Sequence, residues 1–417
     1  MKKLLACLLV VCMLLALASC ASTPKTDADA SQSTATDTPS TETTDSGESA
    51  APANGDTIKV GVVCAISGMY AMEGQMVSES IQLLEEDIVE KGGLVRDDGT
   101  VLQVQFIIED NEGDAETSVN CFNKLIDNDG VSAIVGPPMS GCLLAAGEIS
   151  QAKGIPTIGT MTTNVACTQI GDYIFRACFI DSYQAQIAAK YMYEQGYTEI
   201  GVLTNNAGDY SNGLSNNFIE AFTARGGKLV AQETFSDAGG SDVKDFSVQL
   251  SKLKNANPQA IFSPTYYMNI PDILKQANQL GIDVPFVGTD SWDTPEVLGM
   301  IDASAKTNAC YISAFTTENP DETCQNFIKR FNDNFGGNPN SNAAYAYDAA
   351  LAMCEAIRTA KTTAPANIRD ALANLSGFSG VTGALTFDEN RNPIKDAYIL
   401  AFDGDEVKYV TTVNMDD

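Results

Sequence analysis

The chain of 417 residues carries 54 acidic against 25 basic side chains, a formal charge of −29, and its acids are scattered rather than gathered in one block. Nucleic acid is excluded as a partner on this balance, because its binders need basic faces that displace counterions. The absence of histidine removes His-assisted serine or cysteine catalysis and His-ligated metal sites together.

Lys2 and Lys3 precede an apolar run from Leu4 to Leu17, the charged start and hydrophobic middle of a secretory signal. At fourteen residues the run is too short to span a bilayer comfortably. It ends in Leu17-Ala18-Ser19-Cys20, which resembles the bacterial lipobox. Residues 1–19 are therefore expected to be a lipoprotein signal peptide, with Cys20 the lipid-bearing first residue of the processed chain. Residues 20–56 are rich in Ser, Thr and acids and contain no Leu, Val, Phe, Tyr or Trp. Such a segment cannot bury enough apolar surface to offset its ordering entropy, and it reads as a flexible acidic tether. The body runs from 57 to 417, long enough for two domains with substantial cores.

Strand and helix patterns alternate along the body. Ile58 to Ile66 is a nearly continuous apolar strand, followed by Ser67-Gly68 and then Val77, Ile81, Leu84 and Ile88 at helical spacing. The unit repeats with strand Val104 to Ile108 and helix Val119, Phe122, Leu125, and again with strand Ala133 to Val135 and helix Leu143, Leu144, Ile149. Gly154 to Thr160 reads as a further strand. After Asp181 come a helix at Ile187 and Tyr191, a strand at Ile200 to Leu203, a helix at Leu214, Phe218 and Phe222, and another at Val243, Phe246, Leu250 and Leu253. Strand Ala260 to Ser263, helix Ile273, Leu274, Ala277 and Leu280, strand Phe286 to Gly288, and late helices around Phe327, Phe331, Phe335 and Tyr345 to Ile357 complete the series. Alternation of this kind predicts parallel sheets with helices on both faces, and there is too much of it for one sheet.

No GxxxxGK[ST], GxGxxG or GxSxG motif occurs, so catalysis has no positive support. The eight body cysteines form no CxxC pair, and Cys167 and Cys178 flank a turn where either a local disulfide or two buried thiols would fit. In open α/β sheets, ligands gather where strands end and helices begin. Gly136-Pro137-Pro138-Met139-Ser140-Gly141 follows a strand and opens a helix, so Ser140 reads either as a helix-start ligand contact or as a plain cap. Met161-Thr162-Thr163-Asn164 follows the next strand and suits ligand contacts or an ordinary turn.

The order SGMYAMEGQ, VGPPMSG, GIPTIGTMTT, YIFRACFIDSYQ, GDYSNGL, TYYMNIPDILKQANQLGI and PFVGTDSW resembles the branched-chain amino-acid binding proteins of ABC transporters, the type 1 periplasmic binding proteins. The resemblance implies an α/β fold of two Rossmann-like lobes joined by a three-strand hinge. Lobe 1 is expected at about 57–178 plus 316–383, and lobe 2 at about 182–312 plus 386–417. It further implies that Ser140, Met161 through its backbone and Thr163 hold an amino-acid headgroup. Tyr70 would close over it, Asp181, Tyr210 and Tyr266 would face the cleft from lobe 2, and Asp290 would receive the ligand ammonium. Asp290 stands where some members carry a longer glutamate, and Met139 where a cysteine can occur; both departures reshape the pocket.

The implied role is solute capture outside the cytoplasm, with an amino acid as ligand, an ABC permease as partner, a lipid anchor at the cell membrane, no cofactor and a monomeric state. A sensor ectodomain working through a separate membrane partner is the competing reading, and a surface hydrolase ranks last.

Overall fold

The computed structural model describes residues 56–417 apart from 238–241, 303–307, 394, 405, 414, 416 and 417. The expected signal peptide, Cys20 and the tether up to residue 55 lie outside the described residues.

The first lobe is built on β1 (Thr57–Cys64), α1 (Ala71–Glu90), β2 (Leu94–Val95), β3 (Val101–Asp110), α2 (Ala115–Asn123), β4 (Ala133–Val135), α3 (Ser140–Lys153), β5 (Thr157–Gly159), α4 (Ala166–Gln169) and β6 (Ile174–Arg176). Its sheet runs β2-β3-β1-β4-β5-β6 and is parallel except at the β2 edge. Side chains alternate across each strand, so Val62 packs into the core on one face and Val63 into the core on the other. Burial on both faces is what a nearly continuous apolar run such as β1 encodes.

The second lobe follows with α5 (Asp181–Glu194), β7 (Glu199–Asn205), α6 (Asp209–Ala224), β8 (Lys228–Phe235), α7 (Ser247–Asn255), β9 (Ala260–Phe262), α8 (Ile270–Gln279), β10 (Phe286–Gly288), α9 (Pro295–Met300) and β11 (Ala309–Ser313). The chain then returns to the first lobe, where α10 (Glu322–Phe335) and α11 (Ser341–Thr359) pack on α1, and α12 (Pro365–Ala373) packs on α11. A small hairpin of β12 (Ser379–Gly380) and β13 (Gly383–Ala384) precedes the last strands, β14 (Ala397–Asp403) and β15 (Glu406–Val413). These complete a seven-stranded sheet in the order β15-β14-β11-β10-β9-β7-β8.

Two local readings change, and two details are filled in. The sheets are not wholly parallel, since β14 and β15 add an antiparallel edge; β15 is largely solvent-facing and so lacks the apolar signature that marks the inner strands. The helix expected from Val243 begins at Ser247, because the Val243 N–H donates to the Asp237 carboxylate (3.2 Å) outside any helix. Cys167 and Cys178 are free, buried thiols. The crossings between lobes, near 177–180, 314–321 and 386–393, are short segments in which the isolated bridge Phe387–Pro393 is the only strand pairing among the described residues.

Among the described residues, no helix is long and apolar enough to cross a membrane.

Candidate functional site

The carboxyl ends of β1, β4 and β5 face those of β7, β9 and β10 across the space between the lobes. On the first-lobe side, Gly136 has φ +94°, and a Cβ there would lie 2.2 Å from the Val63 carbonyl oxygen. Glycine therefore lets the chain turn sharply from β4 into Pro138, Met139 and Ser140. Met139 occupies the cap position of α3 and Ser140 is its first helical residue, so Ser140 is not the cap. The Ser140 hydroxyl accepts from the Asn164 N–H (3.2 Å), which fixes it beside the loop after β5. First-turn amides of α3 have no intrahelical acceptor and give the wall a positive character.

On the second-lobe side, the loop after β10 supplies Asp290. The Tyr210 hydroxyl, from the first turn of α6, donates to Asp290 Oδ1 (2.5 Å) and lies 2.7 Å from Thr289 Oγ1. The Ser291 N–H also donates to Asp290 Oδ1 (3.1 Å), and the Asp290 N–H donates to Gln184 Oε1 (3.0 Å). Tyr266 packs against Tyr210 with ring centroids 5.2 Å apart and receives Tyr70 edge-on at 5.4 Å. The Tyr267 hydroxyl donates to the Met69 carbonyl (2.9 Å), and Asn164 Nδ2 donates to the Asp209 carbonyl (3.2 Å). These ties bridge the lobes and close the cleft to a cavity of about 20 Å³, the space of roughly one water.

Ser140, Met161, Tyr210, Tyr266 and Asp290 line this cavity together. Tyr70, Thr163 and Asp181 do not; Tyr70 backs the Tyr266 ring, while Thr163 and Asp181 are buried just behind the wall. The Thr163 carbonyl accepts from the Asp181 N–H (2.8 Å). Neither Asp181 carboxyl oxygen completes a hydrogen bond, although the Thr163 hydroxyl approaches.

Three lining residues, Glu73, Ser291 and Asn342, escape the sequence reading, Ser291 standing beside the expected Asp290. Glu73 sits in the first turn of α1, within SGMYAMEGQ. A Cβ on the next residue, Gly74, would lie 1.9 Å from the Ala65 carbonyl oxygen, so glycine lets the helix start press onto the end of β1 and brings Glu73 to the cavity. An acid after the first strand was the available signal. Asn342 comes from α11, more than two hundred residues along the chain, and no local pattern could bring it here.

The electrostatics are dominated by acids withdrawn from water. Burial pushes the Glu73 carboxyl up to about 8, and the Asp290 charge adds to the rise. Burial pushes Asp181 up to about 7, with Asp290 adding and Arg176 opposing. Asp290 is raised by burial only to about 6, because Tyr210 and the Ser291 amide donate to it. Arg176 is spent on the Thr162 carbonyl (2.5 Å), the Val165 carbonyl (3.4 Å) and Thr168 Oγ1 (3.2 Å). One wall thus offers a hydroxyl and helix-start amides, the other a carboxylate, and the two walls are complementary in charge to the two ends of a zwitterion.

A larger cavity of about 950 Å³ lies at the opposite, amino ends of β1 and β3, beside Asp56, Lys59 and Arg96. It contains none of the cleft residues, and parallel sheets bind ligands at the other end. Among the described residues, no group of three or more Cys, Asp or Glu is placed to hold a metal ion.

Comparison with known proteins agrees with this fold. The family model for periplasmic binding proteins matches residues 57–406. The leucine-, isoleucine-, valine-, threonine- and alanine-binding protein of Pseudomonas aeruginosa is 27% identical over 336 residues, 80% of this chain and 86% of its own. Leucine binding protein LivK of Thermotoga maritima is 28% identical with a TM-score of 0.80, over 86% of this chain and 99% of that one. The branched-chain amino acid transporter substrate binding protein LivJ of Streptococcus pneumoniae, solved in complex with isoleucine, is 31% identical with a TM-score of 0.79, over 86% of this chain and 99% of that one. With a match that spans both lobes and the cleft between them, the chain belongs to the periplasmic binding protein family.

Proposed function

We propose that this chain is the substrate-binding lipoprotein of an ABC importer, capturing one amino acid per chain outside the cytoplasm and delivering it to a membrane permease. The observation that carries the reading is the closed cavity with Ser140 and the α3 amides on one wall and Asp290 on the other. An amino acid presents a carboxylate and an ammonium a few ångströms apart, and hydrogen bonds to charged groups are each worth about 1.5 to 3 kcal/mol net. Ser140 and the helix start would hold the carboxylate, and Asp290 the ammonium, with Thr163 and Asp181 supporting from behind. The relatives bearing leucine-, isoleucine- and valine-binding names support the amino-acid class.

The lobes would divide at about 178–182, 312–316 and 383–386, and Cys20 with its tether would hold the clamp at high local concentration beside its permease. Replacing Cys20 with Ser should release the protein from membranes without altering ligand affinity. For the capture itself, calorimetry against the proteinogenic amino acids is decisive. A ligand at a hundred times its dissociation constant stabilises by about 2.7 kcal/mol, readily seen as a raised melting midpoint. Failure of every amino acid to raise it would sink the reading.

A further inference from the structure

An amino-acid headgroup uses one acid, and Asp290 supplies it. Glu73 is a second acid on the same cavity, only 4% exposed. Tyr210 and the Ser291 amide both donate to Asp290 Oδ1, whereas no hydrogen bond or ion pair reaches either oxygen of the Glu73 carboxyl among the described residues. The Gly74 contact with Ala65 leaves α1 little freedom to carry Glu73 away. Asn342 Nδ2, a buried donor without a partner, stands on the same lining, where an acceptor such as a carboxylate oxygen would satisfy it.

Most of the lining is apolar surface, but none of it comes from a branched aliphatic side chain. Pro138, Met139 and Met161 are its aliphatic members, and no Leu, Ile or Val lines the cavity. Closing the cleft on a branched aliphatic side chain would leave Glu73 without a partner in a dry site, which is unfavourable for the ionised form. A cationic side chain removes that penalty. It meets an acid that has no other partner, and the Tyr210 and Tyr266 rings offer π-faces on which a cation is also stabilised.

Resting on the amino-acid reading above and narrowing it, we propose that Glu73 is a specificity residue and that the cargo is an amino acid bearing a second cationic group, an ammonium or guanidinium, on its side chain. Asp290 holds the α-ammonium and Glu73 the side-chain cation.

The experiment is calorimetry of the full chain with lysine, ornithine and arginine against leucine and norleucine, the last being the uncharged straight-chain counterpart of lysine. The best basic amino acid should bind roughly ten- to a hundred-fold more tightly than norleucine, as a desolvated charge-assisted pair implies. In Glu73→Gln, which keeps the shape and removes the charge, that ratio should collapse towards unity. A wild-type preference for leucine or norleucine overturns this inference and leaves the amino-acid reading standing. An unchanged ratio in Glu73→Gln overturns it equally, and if that variant does not fold, the wild-type ratio decides alone. Should no amino acid bind, the broader reading falls and this inference with it.

Discussion

Glu73 should destabilise the ligand-free protein at neutral and alkaline pH, and its replacement by Gln should show it. Burial raises the carboxyl from its ordinary 4.5 to about 8. A group whose folded pKa lies above its unfolded one stabilises fully below the unfolded value, and that contribution is lost as pH rises through the folded value. The window therefore runs from about 4.5 to about 8. At about 1.4 kcal/mol per pH unit the upper bound is roughly 5 kcal/mol. Asp181 and Asp290 titrate within the same window, and coupled sites share protons, so a net effect on the order of 2 kcal/mol is the expectation for Glu73 alone. Urea unfolding of wild type and Glu73→Gln at about pH 5 and about pH 8.5 measures it. Wild type should lose stability relative to the variant across that interval, and a saturating cationic ligand should offset the loss. Unfolding free energies that move in parallel would refute the burial argument.

Other residues give independent checks. Asp290→Asn should weaken amino-acid binding roughly ten- to a hundred-fold while leaving the urea midpoint no lower, since one charge-assisted partner is lost; unchanged affinity in calorimetry sinks the ammonium assignment. Tyr210→Phe removes a donor to Asp290, so the Asp290 carboxyl should rise further and the binding profile shift to higher pH, with a loss of about 1 kcal/mol. A superimposable profile contradicts that positioning role. Away from the cleft, Lys395 and Asp348 are both fully buried, 3.7 Å apart, with Thr382 between them donating to Asp348 and accepting from Lys395. Burial lowers the Lys395 pKa and raises that of Asp348 against their mutual attraction. Lys395→Met should therefore cost about 3 to 5 kcal/mol by stranding Asp348, and adding Asp348→Asn should restore much of it; equal losses in the single and double variants would contradict the pairing.

The cleft shows why some residues were legible and others not. Ser140 and Asp290 stand directly after apolar strands, and the strand-to-helix rule for parallel sheets points at them. Thr163 and Asp181 satisfy the same rule yet lie behind the wall, because their backbones pair with each other instead of opening to the cavity. β15 was invisible for a different reason: it is a solvent-facing edge strand, held by pairing to β14 through a register shift between Ile399 and Leu400, and such pairing writes no apolar period into the sequence.

The alternation of strand and helix, the two-lobe α/β class and the exclusion of histidine chemistry were all legible in the amino-acid order, since composition and hydrophobic period are local properties of the chain. Tertiary structure decided which acids share the cavity. Glu73 reaches it because Gly74 lets α1 touch β1, Asn342 because α11 returns from the second lobe onto α1. Both depend on close approach between packed segments, for Asn342 segments distant in the chain, which no hydrophobic period encodes, and Glu73 makes the site more acidic than a headgroup alone requires.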